Sequence, residues 1–102
     1  MAIEFEPMTG RYFTLNSGGS EYRIYMEEAG SGIPLLCLHT AGSDSRQFRH
    51  LLADPDIISR FRVIAFDLPW HGKSNPPNRF RDSDYKLTVD GYKQIILSLI
   101  HI

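Results

Sequence analysis

Two apolar runs, each followed by a polar cluster, decide how this chain folds. The first reads Leu35-Leu36-Cys37-Leu38 and continues into His39-Thr40-Ala41-Gly42. The second reads Val63-Ile64-Ala65-Phe66 and continues into Asp67-Leu68-Pro69-Trp70-His71-Gly72-Lys73-Ser74. Neither run alternates apolar with polar residues. Both are therefore predicted to be strands covered on two faces, as in a parallel sheet packed between helices.

A helical pattern links the two runs. Phe48, Leu51 and Leu52 lie at i, i+3 and i+4, the spacing of a core-facing stripe. Asp54-Pro55 is expected to end this helix and to start a short second one. Strand, helix and strand make residues 33–74 a βαβ unit, whose chemistry is expected in the loops at the carboxyl ends of the strands. The residues favoured as N-caps are Ser43, Asp44 and Ser45, and those expected to face water are Arg46, Arg49 and His50.

The flanking segments fit around this unit. Residues 10–28 are predicted to form an antiparallel hairpin, since a strand-like stretch, a glycine–serine turn and an alternating stretch follow one another. Residues 75–84 contain two prolines and are expected to form an exposed loop. Residues 88–102 should begin a further helix. Its predicted buried stripe consists of Val89, Tyr92, Ile96 and Leu99, widened by Ile95, Ile100 and Ile102.

Composition excludes several classes of function. The chain has 102 residues, which suits one small domain, and its net charge of −1 gives no basis for binding nucleic acid or an anionic membrane. The single cysteine, Cys37, has no partner for an internal disulfide, and no Cys/His set has the spacing of a zinc site. The start lacks the pattern of a signal peptide, and no apolar stretch is long enough to span a bilayer. We therefore predict a cytoplasmic, soluble protein without metal or membrane partner.

The order of these elements and one motif resemble the amino-terminal part of α/β-hydrolase fold enzymes. The most specific match is D-x-P-x-H-G-x-S, which residues 67–74 fulfil. The family commonly has glycine where this chain has Trp70. The resemblance covers residues 10–100 and implies an α/β fold with strand order 1-2-4-3. It also implies that the 102 residues are a single, incomplete α/β-hydrolase domain.

The resemblance implies one catalytic group. In the family, the loop after strand 3 supplies a backbone N–H to the oxyanion hole, which stabilises charge on the substrate carbonyl oxygen. By position, the matching donor is the N–H of Ala41, with Thr40 in the usual glycine position and glycine only at Gly42. The family nucleophile lies in a G-x-S-x-G elbow, and no such pentapeptide occurs in this sequence. The resemblance thus assigns no nucleophile, acid or base here.

The other polar residues of the two loops each have a catalytic and a structural interpretation. His39 and His71 are candidate bases, and Asp67 is a candidate acid. Structural roles are favoured: His39 as a brace of its loop, His71 beside Gly72 in a tight turn, and Asp67 as acceptor for the N–H groups of its own turn. Ser74 is favoured as a turn hydroxyl over a nucleophile. Trp70 and Thr40 are candidates to line a substrate pocket, and for Trp70 simple packing over the sheet is an equal alternative.

Two hypotheses for function follow. The first is a serine-type α/β hydrolase acting on an ester or related acyl bond of a small molecule, with no cofactor required. The second is a truncated, non-catalytic fragment that acts at most as a binding module. For the 102-residue fragment, strand 3 would become an apolar sheet edge, and together with the apolar residues 95–102 this edge predicts self-association.

Overall fold

The computed structural model describes residues 2–17, 19–40, 42–74 and 88–102. Ala41 and the loop predicted for residues 75–84 lie outside these described residues. The strands are β1 (Thr9–Ser17), β2 (Ser20–Ala29), β3 (Ile33–Cys37) and β4 (Phe61–Phe66). They form one sheet in the order β1-β2-β4-β3, which confirms the predicted strand order and the α/β class.

Strand β2 joins the hairpin to the βαβ unit. It pairs antiparallel with β1 along the hairpin and antiparallel with β4, where Met26 lies opposite Phe66. Strand β3 pairs parallel with β4, with Leu35 opposite Val63. The carboxyl ends of β3 and β4 therefore meet at one edge of the sheet. Because β2 runs in the opposite direction, its Tyr25 lies at that same edge.

Short helical segments follow the capping signals. Asp44 caps a 3₁₀ turn (Ser45–Phe48) that continues directly into α1 (Arg49–Leu52). Asp54 caps α2 (Pro55–Ile58), and Thr88 caps α3 (Val89–Leu99) through a 3.0 Å bond from the Gly91 N–H. The predicted break at Asp54-Pro55 and the predicted start near residue 88 are confirmed. Among the described residues, every helix is too short or too polar to cross a membrane.

Both faces of β4 are covered, as its uninterrupted apolar run predicts. Ile64 and Phe66 pack with Ile95 and Leu99 of α3, while Val63 and Ala65 pack on the other face. The predicted stripe of α3 is wrong at Val89 and Ile100, which are 72% and 67% exposed. Val89 lies in the first turn of α3 and Ile100 lies beyond its end, whereas Tyr92, Ile95 and Leu99, spaced by three and four residues, pack on the sheet as predicted.

Candidate active site

His39 connects the loop after β3 to the loop after β4. Its Nε2 accepts a 3.0 Å hydrogen bond from the Leu68 N–H, and its Nδ1 lies 2.9 Å from the Thr40 carbonyl oxygen. A nitrogen that accepts a bond carries no proton, so the ring is the neutral tautomer with hydrogen on Nδ1. The His39 side chain is buried, and both of its nitrogens bind backbone groups. This geometry fits a brace and leaves neither nitrogen free to act as a base.

Thr40 is held by a residue that sequence reasoning missed. The side-chain oxygen of Gln47 accepts the Thr40 N–H at 3.0 Å and the Thr40 hydroxyl at 3.2 Å. The Thr40 carbonyl oxygen also accepts the Ser43 N–H at 3.0 Å. Gly42 has φ of 76°, a left-handed conformation that glycine adopts readily. The N–H, the hydroxyl and the carbonyl oxygen of Thr40 are therefore all hydrogen-bonded.

Asp67 links the same two loops from the other side. It is 1% exposed, and its two carboxylate oxygens accept the Ser45 N–H at 2.7 Å and the Lys73 N–H at 2.8 Å. One bond lies within its own turn, and the other reaches the start of the 3₁₀ turn. Gly72 adopts φ of +51°, and a Cβ there would collide with the Asp67 carboxylate. This close approach explains the glycine.

Ser74 extends the β2–β4 pairing through its side chain. The Asp67 N–H donates directly to the Tyr25 carbonyl oxygen at 2.9 Å. The reverse bond is bridged, because the Ser74 hydroxyl accepts the Tyr25 N–H at 3.0 Å and donates to the Asp67 carbonyl oxygen at 2.6 Å. A hydroxyl that donates its proton to a backbone carbonyl is not activated as a nucleophile. Ser74 is buried and serves as a backbone link.

His71 and Trp70 form the outer part of the loop after β4. The His71 Nδ1 lies 3.0 Å from the Pro69 carbonyl oxygen, and its ring tilts against His39 with centroids 5.1 Å apart. Trp70 has φ of 73°, the one non-glycine residue with positive φ among the described residues. A bulky residue in this region is strained. Tryptophan thus occupies a backbone conformation that suits the glycine usual at this position.

Beneath these loops lies a charged cluster that the sequence analysis did not predict. Glu27 is 2% exposed, accepts the Tyr25 hydroxyl at 2.9 Å and pairs with Arg49 at 3.0 Å. Arg49 was expected to face water, and its side chain is only half exposed because it reaches down to this carboxylate. The alternation of β2 places Glu27 on the same face as Tyr25, so a covered second face implies that Glu27 is buried.

These contacts shift the pKa values of several side chains in the site. Burial and the hydrogen bond to Glu27 raise the pKa of Tyr25 to about 12. The hydrogen bond to Glu27 also raises the pKa of Arg49. Arg46 donates to both oxygens of Asp44 and lowers the pKa of Asp44 from 3.8 to about 2. A cavity of about 230 Å³ lies between these side chains, and opposite charges balance around it.

The part of the chain that the structure describes contains no set of side chains suited to binding a metal ion. No group of three or more His, Cys, Asp or Glu side chains is arranged there to hold an ion. Cys37 is buried within β3, and burial raises the pKa of its thiol. A raised pKa keeps a thiol protonated and unreactive at neutral pH.

The edge of the sheet at which β3 and β4 end thus carries two loops fixed to each other. No family model matches the chain. It is 30% identical over 74 residues to the 2-hydroxy-6-oxononadienedioate/2-hydroxy-6-oxononatrienedioate hydrolase of Cupriavidus pinatubonensis, a match that covers 70% of this chain and 26% of that protein. The chain therefore spans about a quarter of the length of the curated relatives it matches.

Solved structures agree with this relationship. N-acyl homoserine lactonase AidH in complex with N-butanoyl homoserine superposes with a TM-score of 0.68 at 33% identity, over 89% of this chain and 31% of the lactonase. The Cif epoxide hydrolase from Acinetobacter nosocomialis shares the fold, with a TM-score of 0.70 at 23% identity over 96% of this chain and 27% of its own. The fold is the α/β-hydrolase fold. In sequence and in structure, the chain is similar to about a quarter to a third of the length of hydrolases that have this fold.

Proposed function

We propose that this chain supplies the oxyanion loop of a serine-type hydrolase that cleaves an ester or related acyl bond. The loop after β3 carries the proposal, because His39 and Gln47 hold Thr40 from two sides at the edge where β3 ends. A fixed loop is what oxyanion stabilisation requires, since donors must be in place before charge develops on the substrate. The lactonase complex with N-butanoyl homoserine supports a small acyl compound as substrate.

The proposed reaction divides the work between this chain and a serine supplied outside it. The serine oxygen attacks the acyl carbon and gives its proton to a base that is also outside this chain. The bond to the alcohol breaks as the acyl-enzyme forms, and water then cleaves the acyl-enzyme, which releases the acid and restores the serine, with no cofactor needed. The Ala41 N–H is the proposed donor to the oxyanion. Thr40 and Trp70 are proposed to line the acyl pocket, while His39, Asp67 and His71 position the two loops. A free, buried Cys37 agrees with the cytoplasm as the proposed compartment.

A chimaera tests the proposal. The matching segment of the lactonase AidH is replaced by this chain, and hydrolysis of N-hexanoyl homoserine lactone is measured. Ala41→Pro removes the N–H, and Ala41→Gly keeps it as the matched control. Loss of one oxyanion donor lowers kcat by about 10²–10³, so we expect that loss for Ala41→Pro alone. Equal activity of the two variants, with both folded by circular dichroism, would contradict the assignment.

Self-association is a second proposal, and it applies equally if the chain acts only as a binding module. Strand β3 lies at one end of the described sheet, and Ile33 (68% exposed) and Leu38 (42% exposed) leave its edge apolar. Sedimentation of the chain and of Leu38→Lys tests this: we expect a dimer or larger species that the lysine dissociates. A monomeric wild type would refute it.

A further inference from the structure

The bond between His39 and Leu68 depends on the protonation state of the imidazole ring. The Nε2 atom accepts the Leu68 N–H at 3.0 Å, and both residues are buried. The Nδ1 atom meets the Thr40 carbonyl oxygen at 2.9 Å, so it carries the hydrogen of the neutral ring. A proton that adds to Nε2 turns that atom into a donor, which then faces another donor, the Leu68 N–H. The ring can join the two loops only while it is neutral.

Leu68 begins the tight turn that carries Trp70. Its carbonyl oxygen accepts the His71 N–H at 3.0 Å, which closes the turn over Pro69 and Trp70. Within that turn Trp70 is held at φ of 73°, a conformation that costs a bulky residue free energy. When the Leu68 N–H loses its acceptor, the turn loses the bond that fixes its start. Relief of the strain at Trp70 then favours movement of the loop.

Titratable groups face the His39 ring from two neighbouring elements. The His71 ring of the loop after β4 lies 5.1 Å away between centroids, so two protonated rings would repel each other. Asp44 lies at the start of the 3₁₀ turn, and its pKa is lowered chiefly by hydrogen bonds from Arg46 and further by the charge of His39. This carboxylate is therefore ionised at mildly acid pH and attracts an imidazolium. Asp67, at the end of β4, already accepts two backbone N–H groups.

We propose that His39 is an acid-sensitive latch between the loops after β3 and β4. The neutral ring accepts the Leu68 N–H and keeps the loop after β4 closed. A proton taken from solvent onto Nε2 breaks that bond, and the Leu68 N–H then bonds to water. Mild acid thus releases the segment around Trp70 while the sheet stays intact. This latch does not depend on an oxyanion role for either loop.

An NMR titration of the 102-residue chain tests the latch directly. Ring nitrogen shifts follow the protonation of His39, and hydrogen exchange, corrected for the intrinsic effect of pH, follows the Leu68 amide. Loss of one hydrogen bond corresponds to roughly a five- to tenfold change in protection. We expect that loss at Leu68 between about pH 7.5 and about pH 5, along the titration curve of His39. Leu68 protection that stays constant while His39 titrates overturns the proposal, and so does a His39 ring that is still neutral at about pH 5.

Two variants separate the latch from the neighbouring histidine. His39→Gln puts an amide oxygen near the place of Nε2, which accepts the Leu68 N–H without titrating. His71→Gln is the matched control, because a protonated His71 keeps its bond to the Pro69 carbonyl oxygen.

Trp70 is the only tryptophan of the chain, so its fluorescence reports on the loop after β4. We expect the fluorescence to change on acidification in the wild type and in His71→Gln, and to stay constant in His39→Gln. A change that persists in His39→Gln overturns the proposal. A change that disappears in His71→Gln also overturns it, because quenching by a protonated His71 then explains the signal. If His39→Gln fails to fold, the titration of the wild type decides by itself.

Discussion

The two faces of the sheet are built by different means. Under α3 the buried side chains are apolar, with Ile24, Met26 and Phe66 at the centre. On the opposite face, apolar packing gives way to charge along the length of β2 and β4. Ala29 lies opposite Val63, but further along the same face Glu27 follows, and then Tyr25 beside Asp67.

The polar end of that face is the end at which β3 and β4 terminate. Burying charge costs free energy unless each group is paired, whereas apolar burial is favourable anywhere in the core. Among the described residues, the buried polar groups Asp67, Glu27 and His39 all lie at this end, where the two loops are fixed. Apolar packing on one face thus stabilises the sheet, and hydrogen bonds and ion pairs on the other face fix the two loops in a defined geometry.

Breaking the Glu27–Arg49 ion pair should lower the free energy of unfolding more than any other substitution proposed here. Arg49→Leu leaves a buried carboxylate with the Tyr25 hydroxyl as its remaining partner among the contacts described. We expect a loss of about 2–4 kcal/mol in the free energy of unfolding, measured by urea denaturation. Arg11→Leu, which breaks the more exposed Arg11–Glu28 pair, should cost less than about 0.5 kcal/mol.

A double variant shows whether the loss of stability comes from the unpaired Glu27 charge or from lost packing. Glu27→Leu combined with Arg49→Leu removes both charges, and stability should return to within about 1 kcal/mol of wild type. If the double variant is as unstable as Arg49→Leu alone, the cost lies in lost packing, and the two faces would differ less than we infer.

Removing the Ser74 hydroxyl tests the hydrogen bonds of the polar face at the end where β4 terminates. Ser74→Ala leaves the Tyr25 N–H and the Asp67 carbonyl oxygen, both buried, without the hydroxyl that joins them. Unsatisfied buried groups cost about 1–3 kcal/mol, and we expect about 2 kcal/mol by the same denaturation measurement. Ser98→Ala on α3 is the control, since its hydroxyl donates to the Gln94 carbonyl oxygen in an exposed hydrogen bond. An equal effect at both sites would show that the Ser74 bridge contributes no more to stability than the Ser98 hydroxyl does.

The apolar face was the predictable one. Uninterrupted apolar runs identified β3 and β4, and alternation identified β2. The cap at Asp54 located the start of α2, and apolar spacing located the start of α3 near residue 88. These signals are local, because each lies within a few residues of the element it defines. The buried stripe of α3 was predicted too wide, since Val89 and Ile100 at the two ends of the helix are exposed.

The candidate site was predictable only in part. The loops and their polar residues were found from motif and position, but Gln47 and the Glu27–Arg49 pair were not. Glu27 and Arg49 are 22 residues apart on a strand and a helix, and nothing in the sequence signals their contact. Gln47 lies seven residues beyond Thr40, in a turn whose exact path decides whether the two meet. Such contacts depend on tertiary placement rather than on local pattern.

Substitution of Trp70 should change the free energy of unfolding by less, because the change comes from backbone strain at one residue. Trp70→Ala and Trp70→Gly both remove the indole, but only glycine relieves the strain of φ at 73°. We expect the glycine variant to be more stable than the alanine variant by about 1 kcal/mol, measured as the difference between their unfolding free energies. Equal stability would show that the backbone at this position relaxes. The wild type retains this strain in a loop beside the candidate site, which supports a role of the indole there.

The smallest expected effect concerns the ion pair at the rim of the polar face. Arg46 lowers the pKa of Asp44 to about 2, from an ordinary 3.8. A lowered pKa in the folded state stabilises the protein above about pH 4, and this contribution is lost as the pH falls through about 2. Asp44→Asn keeps an N-cap and removes the charge. Because Arg46 is largely exposed, we expect the melting temperature of Asp44→Asn to lie only about 2–4 °C below wild type at neutral pH. Thermal melts from pH 7 to pH 2 should show this gap closing. A gap of unchanged size at pH 2 would mean that the charge of Asp44 does not cause the difference, and that the rim adds nothing electrostatic to the polar face.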